Sequence, residues 1–286
     1  MPPLRRIEMK DENMLFDIHT HCFPDKIAAR AIEKLAYASG GLMPYYDGTF
    51  SGLCRAMKDE GAVGFAVQNI ATNAGQMKNV NDFAAMQKRE GVFPFGSVYP
   101  DAPDVLDEVR RIKALGLRGI KLHPDYQNFF VDDEKMIPIY KEISAQGLCL
   151  LFHAGQDYGF RAPFGCTPER LQKALKYLDC PVIAAHWGGL GEGEEVIRRL
   201  CGLPLYFDTS FGCGTMPRST ALRIVEAHGT SKLLFGSDSP WHRPSDEARL
   251  LSTLELSADE TEDICINNAA ALLGFDKNAL AAVGGF

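Results

Sequence analysis

The sequence has no apolar run long enough to span a membrane and no cluster of lysine and arginine. Its 286 residues carry a formal net charge of −7, so nucleic acids and anionic membranes are not expected partners. The residues before Met14 include charges but no apolar segment, so no signal peptide is predicted. These absences favour a cytoplasmic protein whose partner is a small-molecule substrate.

Two motif types are also missing. The eight cysteines include no C-x-x-C pair, which together with the lack of a secretion signal predicts reduced thiols rather than a disulfide framework. No G-x-G-x-x-G follows an early strand, so a dinucleotide-binding fold has no support.

What the chain does have is eight short apolar runs that alternate with amphipathic helical patterns. With 46% hydrophobic residues it can bury a large core. Short continuous apolar runs are typical of parallel strands covered on both faces. No linker or low-complexity segment interrupts them, so the pattern predicts an α/β fold, a (β/α)8 TIM barrel forming a single domain over residues 1–286. An open doubly wound sheet is the alternative. The predicted strands are 15–20, 62–70, 92–98, 118–122, 148–153, 182–186, 205–208 and 233–235.

The first run, Phe16-Asp17-Ile18-His19-Thr20-His21, sets the chemistry. Side chains two residues apart on a strand point to the same side, so Asp17, His19 and His21 are expected to share a face. Neutral imidazoles are common zinc ligands. A single His-x-His is weak evidence, and the ends of the other strands strengthen it.

Barrel enzymes build their sites from the carboxyl ends of the strands. Five of the seven histidines stand at such ends, and a lysine and an aspartate join them. Burying several unpartnered polar groups together would cost about 1–3 kcal/mol each, and a shared metal removes that cost. His228 and His242 do not fit this pattern and are predicted to be surface or loop residues. The residues at strand ends are His19, His21, Lys121, His123, His153, His186 and Asp238.

Five motifs together resemble the metal-dependent amidohydrolase superfamily, and most closely its branch with aminocarboxymuconate-semialdehyde decarboxylase. The likeness runs from the first strand to the closing helical segment near Asn267. The motifs are Asp17-Ile18-His19-Thr20-His21, Gly119-Ile120-Lys121-Leu122-His123-Pro124, Phe152-His153-Ala154-Gly155, Ala185-His186-Trp187-Gly188-Gly189 and Phe235-Gly236-Ser237-Asp238-Ser239-Pro240.

The resemblance implies that His19, His21, His153 and Asp238 bind a metal and that Asp238 and His186 are catalytic. The metal implied is zinc, one ion or two, with manganese and iron also open. In two-metal relatives a carboxylated lysine bridges the ions, so Lys121 and His186 would then be ligands. A homo-oligomer is expected from the resemblance alone.

Substrate contacts are expected on the loops that follow the strands. The predicted contacts are His123, Arg161, Trp187 and Trp241, with Tyr126, Asn128, Tyr158 and Arg243 as further candidates.

Three functions remain open from the sequence. The first is a zinc hydrolase that attacks a small C–N or C–O bonded substrate with metal-activated water. The second is a metal-dependent, non-oxidative decarboxylase of a small unsaturated or aromatic acid. The third is a non-catalytic binding protein built on the same barrel. The His-x-His of the first strand does not separate hydrolysis from decarboxylation.

Overall fold

The computed structural model describes residues 14–283 and residue 286, so the charged segment before Met14 lies outside the described residues. Eight short strands alternate with helices, and most strand residues are buried. The strands are β1 Leu15–Thr20, β2 Ala62–Gln68, β3 Val92–Phe95, β4 Gly119–Leu122, β5 Cys149–Phe152, β6 Val182–Ala184, β7 Tyr206–Asp208 and β8 Leu233–Leu234.

Helices follow the strands and cover the outside of the sheet. No helix among the described residues is long and apolar enough to cross a membrane. The helices are α1 Asp25–Ala38, α2 Phe50–Asp59, α3 Met77–Gln87, α4 Val105–Ala114, α5 Pro124–Gln127, α6 Met136–Ala145, α7 Pro168–Ala174, α8 Gly193–Arg199, α9 Arg218–His228, α10 Pro244–Ser252, α11 Ala258–Glu262, α12 Asn268–Leu273 and α13 Lys277–Val283.

The strands are parallel and follow chain order in two ladders, β1–β3 and β4–β8. Backbone hydrogen bonds join the ladders at both seams. Lys121 N donates to Gly96 O at 2.8 Å, which links β4 to the end of β3. Ile18 N donates to Phe235 O at 2.9 Å, which links β1 to the end of β8. The strand order is therefore cyclic, and the predicted (β/α)8 fold is confirmed.

Several details differ from the sequence prediction. A proline within an apolar run predicts an irregular strand, yet Pro94 lies inside β3 and pairs with Val67 in unbroken register. The pattern from Asp132 to Gln146 predicts a helix, but α6 begins at Met136, because the Asp133 carboxylate accepts a bond from Phe130 N and forms a separate turn ahead of it. The short helix α5 was not predicted; Pro124 opens it at a position where proline is favoured.

Candidate metal centre

Three ligand atoms converge at the carboxyl ends of β1 and β8. His19 Nε2 lies 3.2 Å from His21 Nε2, and Asp238 Oδ1 lies 3.2 Å from the first and 3.0 Å from the second. The alternation of a strand places both rings on one side, as predicted. Asp238 is brought to them by its backbone, since its N–H donates to His19 O at 2.8 Å.

The other ring nitrogen of each histidine is already bonded. His19 Nδ1 lies 2.8 Å from Asp208 Oδ2, and His21 Nδ1 lies 2.8 Å from Gln68 O. Asp208 Oδ2 is a carboxylate oxygen and Gln68 O is a backbone carbonyl, and both only accept hydrogen bonds. Each neutral ring therefore carries its hydrogen on Nδ1. Each Nε2 then presents a lone pair.

The three converging atoms are therefore all acceptors, with no hydrogen of their own to share. Such an arrangement needs a cation beside it, either a bound metal ion or the Lys121 ammonium, whose Nζ lies 3.3 Å from His19 Nε2. Two imidazole nitrogens and a carboxylate oxygen are a zinc-type donor set, and the outer bonds that fix the rings are typical of metal sites. The residues present thus fit a bound divalent metal.

Asp208, at the end of β7, is the residue that sequence reasoning missed. It is fully buried and also accepts from His186 N at 2.9 Å, from Ser210 N at 3.1 Å and from the Ser210 hydroxyl. Burial alone would raise its pKa, but the charges and bonds of His19 and its other donors lower the pKa instead. Asp208 ends a predicted strand, and that position was the available signal.

His153 and His186 form a second layer beside the three ligand atoms. His153 Nδ1 lies 3.0 Å from His186 Nε2, and His186 Nδ1 lies 2.9 Å from Ser210 Oγ. His153 Nε2 faces Gln156 O at 3.1 Å. Burial lowers the pKa of His186 to about 4 and that of His153 well below its ordinary value.

His153 also belongs to a second cluster of ligand-type atoms. One such atom each from His123, His153 and Asp157 lies within 4.8 Å of the others. The rings of His123 and His153 stack at 4.0 Å, and His123 Nε2 lies 3.2 Å from Asp157 Oδ2. Asp157 was not among the predicted site residues, because it lies inside a loop rather than at a strand end.

Lys121 enters the same site from β4. Its side chain is 1% exposed, and its Nζ lies 3.3 Å from His19 Nε2. Burial lowers the pKa of Lys121 to about 8. Lys121 therefore lies beside the three converging atoms.

A cavity of about 430 Å³ opens from these groups towards solvent. His123 and Trp241 line it, as expected of substrate contacts, and so do Tyr126 and Tyr158. Arg161 is exposed and does not line it.

Trp187 requires a correction. Its ring is 1% exposed and packs in the hydrophobic core, so it supports the wall from behind and does not touch the cavity. The backbone turns away at this point, where His186 and Trp187 have φ of 58° and 59°. The prediction that Trp187 contacts substrate is therefore wrong, because Trp187 does not line the cavity.

The two remaining histidines were predicted to be surface or loop residues, which is wrong for His228 and right for His242, a loop residue. His228 is buried at the end of α9, where its Nε2 bonds Leu205 O at 3.0 Å and its ring stacks on Phe207 at 4.0 Å. His242 is partly buried, and its ring stacks at 4.1 Å on Phe211, a cavity-lining residue that the sequence did not reveal.

Solved structures share this architecture. A TIM-barrel protein from Bordetella bronchiseptica is similar with a TM-score of 0.73 and 17% identity, covering 91% of this chain and 98% of its own. The 5-carboxyvanillate decarboxylase LigW from Sphingomonas paucimobilis is similar at 0.68 and 15%, covering 92% and 100%. A dihydroxybenzoic acid decarboxylase from Polaromonas, solved with bound manganese and 2-nitroresorcinol, is similar at 0.66 and 14%, covering 92% and 97%.

At such low identity these likenesses establish the fold alone. Among curated proteins, none matches the sequence of this chain. The sequence model of the amidohydrolase family does match, over residues 16–275, which contain the ligand atoms, Lys121 and every histidine. The resemblance found in the sequence is thereby confirmed, and the chain belongs to the amidohydrolase family of enzymes.

Proposed function

We propose that this enzyme is a metal-dependent, non-oxidative decarboxylase of a small aromatic or unsaturated acid. The sequence placed hydrolysis first, with decarboxylation as its alternative. The observation that carries the change is the character of the cavity: the ligand atoms and Lys121 lie at its inner end, and its walls are largely apolar. Apolar walls suit the hydrocarbon body of an aromatic or unsaturated acid whose carboxylate lies at the Lys121 end of the cavity. Several structural neighbours are decarboxylases as well.

The proposed ligands are His19, His21 and Asp238, whose ligand atoms converge. His153, the fourth ligand that the resemblance implies, lies instead in the neighbouring cluster with His123 and Asp157. A zinc ion bound there would act as a Lewis acid and withdraw electron density from the substrate. Zinc suits the nitrogen-rich donor set. Manganese, seen in one neighbour, is the alternative.

The chain's own residues would perform the remaining steps. Lys121 Nζ would bind the substrate carboxylate, since it is the one lysine or arginine among the described residues that line the cavity. The bond between that carboxyl carbon and the ring or alkene carbon then breaks, and carbon dioxide leaves. His186 would relay a proton from solvent to the carbon that keeps the electron pair, because its lowered pKa leaves the ring neutral near pH 7 and its Nε2 lies 3.0 Å from His153 Nδ1.

Hydrolysis remains the second candidate because of one observation. The cluster of His123, His153 and Asp157 lies beside the first set of ligands, so the site has enough donors for a second ion. Two-metal centres are typical of hydrolytic chemistry, in which a metal-bound water attacks. The non-catalytic alternative is not carried forward, because the chain belongs to an enzyme family.

Product analysis in heavy water separates the two reactions. We would incubate the zinc-loaded protein with a panel of aromatic and unsaturated acids and, in parallel, with lactones and amides of similar size. Decarboxylation predicts release of carbon dioxide and one deuterium on the product carbon, with no uptake of water. Product that has gained the elements of water, without carbon dioxide, would contradict the proposal and establish hydrolysis.

We also propose that the enzyme is cytoplasmic, on the basis of its cysteines. All eight cysteines are free, and four of them are buried. Free thiols in this number support the reducing cytoplasm that the sequence predicted.

A further inference from the structure

The cavity extends beyond the three converging atoms to residues of α1 and α3. From the ligand atoms it extends outward between α1 and α3, and we call this outer part the arm. Ile27, Ala31 and Leu35 line it from α1, and Val80 and Phe83 line it from α3.

The α1 side of the arm is a regular stripe. Ile27, Ala31 and Leu35 are spaced four residues apart, so they lie above one another on one face of the helix. Eight residues of helix correspond to about 12 Å of length. The buried Ala28 and Ile32 lie on the adjoining face, so the stripe borders the packed side of the helix. Ile27 is exposed and Ala31 and Leu35 are partly buried, so the stripe is an apolar surface that the core covers only in part.

The mouth of the arm is open. Ile27 is 51% exposed although it is a large apolar residue. Such exposure of apolar side chains that continue a ligand cavity is typical of a binding surface.

Charge is confined to the other end. Among the described lining residues, the lysine, the carboxylates and the histidines lie near the catalytic end, and the lysine and carboxylates are Lys121, Asp157 and Asp238. The polar groups on the arm's side are neutral, and they are Ser39, Thr72, Gln76 and Asn79. A substrate that fills the arm would therefore find no partner there for a second charge.

We propose that the substrate is an extended monocarboxylic acid. Its carboxylate lies at Lys121, and an uncharged apolar extension, such as a second ring or an alkyl chain, fills the arm between α1 and α3. This inference rests on the proposed function for the position of the carboxylate. It adds the length and the charge of the rest of the molecule.

Binding by titration calorimetry tests the proposal without any assay of turnover. The probes are benzoate, 4-phenylbenzoate and biphenyl-4,4′-dicarboxylate, each titrated into the zinc-loaded protein. Burying the second ring in the arm should tighten binding by at least about tenfold over benzoate. A second carboxylate at the far end should remove that gain, because the arm offers it no cation.

Variants on α1 locate the effect. Ala31→Trp fills the arm and should abolish the gain in affinity of 4-phenylbenzoate over benzoate. Glu33→Trp adds the same side chain on the exposed side of the same helix and should change neither Kd. Leu35→Lys supplies a cation in the arm and should make the dicarboxylate the tighter ligand.

The outcomes distinguish a failure of the arm proposal from a failure of the proposed function. If benzoate binds and 4-phenylbenzoate binds no more tightly to the wild-type protein, the arm proposal is wrong and the proposed function stands. If no acid binds, the carboxylate position is wrong and both proposals fall. Because the wild-type series decides this by itself, a variant that does not fold leaves the test intact.

Discussion

The chemistry of this protein depends on which atom of each side chain faces inward. His19 and His21 could bind a metal or simply pack, and the bonds at their Nδ1 atoms decide between these possibilities. Asp208 and Gln68 O hold the hydrogens on the outer side, so the Nε2 lone pairs and the Asp238 carboxylate meet. The sequence could place these residues at strand ends but could not show the direction of their lone pairs.

The first prediction concerns the charge of Asp238. Asp238→Asn should lower the affinity for zinc by at least about tenfold and abolish turnover, because the amide is a neutral and weaker ligand. The fold should survive, since Asp238 has φ of 66° and asparagine tolerates this left-handed region well. Metal titration, turnover and the thermal midpoint measure the three effects. Unchanged zinc affinity with full turnover would refute the assignment.

Asp208 provides the second prediction. In Asp208→Asn the amide can donate to His19 Nδ1, which moves the ring hydrogen to Nε2 and blocks the lone pair. We expect about a 10–100-fold loss of zinc affinity, the usual effect of losing such a supporting group. Asp125→Asn is the matched control, because Asp125 Oδ1 accepts from Gly165 N at 2.9 Å and Asp125 belongs to neither cluster of ligand-type atoms. Equal effects of both substitutions would argue against a specific role for Asp208.

At the scale of elements, the site depends on close contacts between loops that the sequence pattern does not reveal. Gly155 follows β5 with φ of 83°, and a Cβ there would lie 2.2 Å from Leu190 N and 2.5 Å from Leu190 O, both on the loop after β6. The alternation of strands and helices predicted the elements around this contact. It gave no information on the backbone distance between the two loops.

Comparing two glycines measures this contact. Gly155→Ala should lower the free energy of unfolding by about 3 kcal/mol or more, because overpacking against backbone adds to the positive-φ penalty. Gly147→Ala has a similar φ of 59° but open space at its Cβ, so it should cost only about 1 kcal/mol. Denaturant unfolding of both variants is the measurement. A smaller loss for Gly155→Ala than for Gly147→Ala would contradict the close approach.

A titrating pair joins the loop after β7 to the segment after β8. Buried Glu247 accepts from Gly212 N and Cys213 N at 2.9 Å each and from His242 Nδ1 at 2.6 Å, and His242 stacks on cavity-lining Phe211. Burial alone would lower the pKa of His242, but its bond to Glu247 raises that pKa above the usual 6.5. Burial raises the pKa of Glu247 as well. The folded protein therefore keeps protons on this pair at a pH where the unfolded chain releases them.

The sign of the pH dependence follows. The contribution of His242 to stability is fully present below pH 6.5 and is lost as the pH rises through its raised folded pKa. We expect the wild-type protein to lose more stability than His242→Gln between about pH 6 and pH 8.5, since glutamine does not titrate. Thermal midpoints of both proteins across this range are the test. Parallel curves would show that the pair does not hold the proton.

For the whole molecule, the sequence predicted most of the architecture. The eight apolar runs correspond to β1–β8, because strands covered on both faces need apolar residues throughout. The sequence could not show how the ladder closes, since the seams depend on a few backbone bonds between distant segments, such as Ile18 N to Phe235 O. One domain over residues 1–286 and a homo-oligomer remain predictions. Light scattering of the purified protein tests the second.

The proposed chemistry of this protein depends on a bound metal. Elemental analysis of protein purified without chelator, for the wild type and for His21→Ala, tests it most directly. We predict about one zinc ion per wild-type chain and a marked loss in the variant, whose ligand set lacks one of its converging atoms. About two ions per wild-type chain would favour hydrolysis at a two-metal centre. Wild-type protein that contains no metal and takes up neither zinc nor manganese would contradict the central claim.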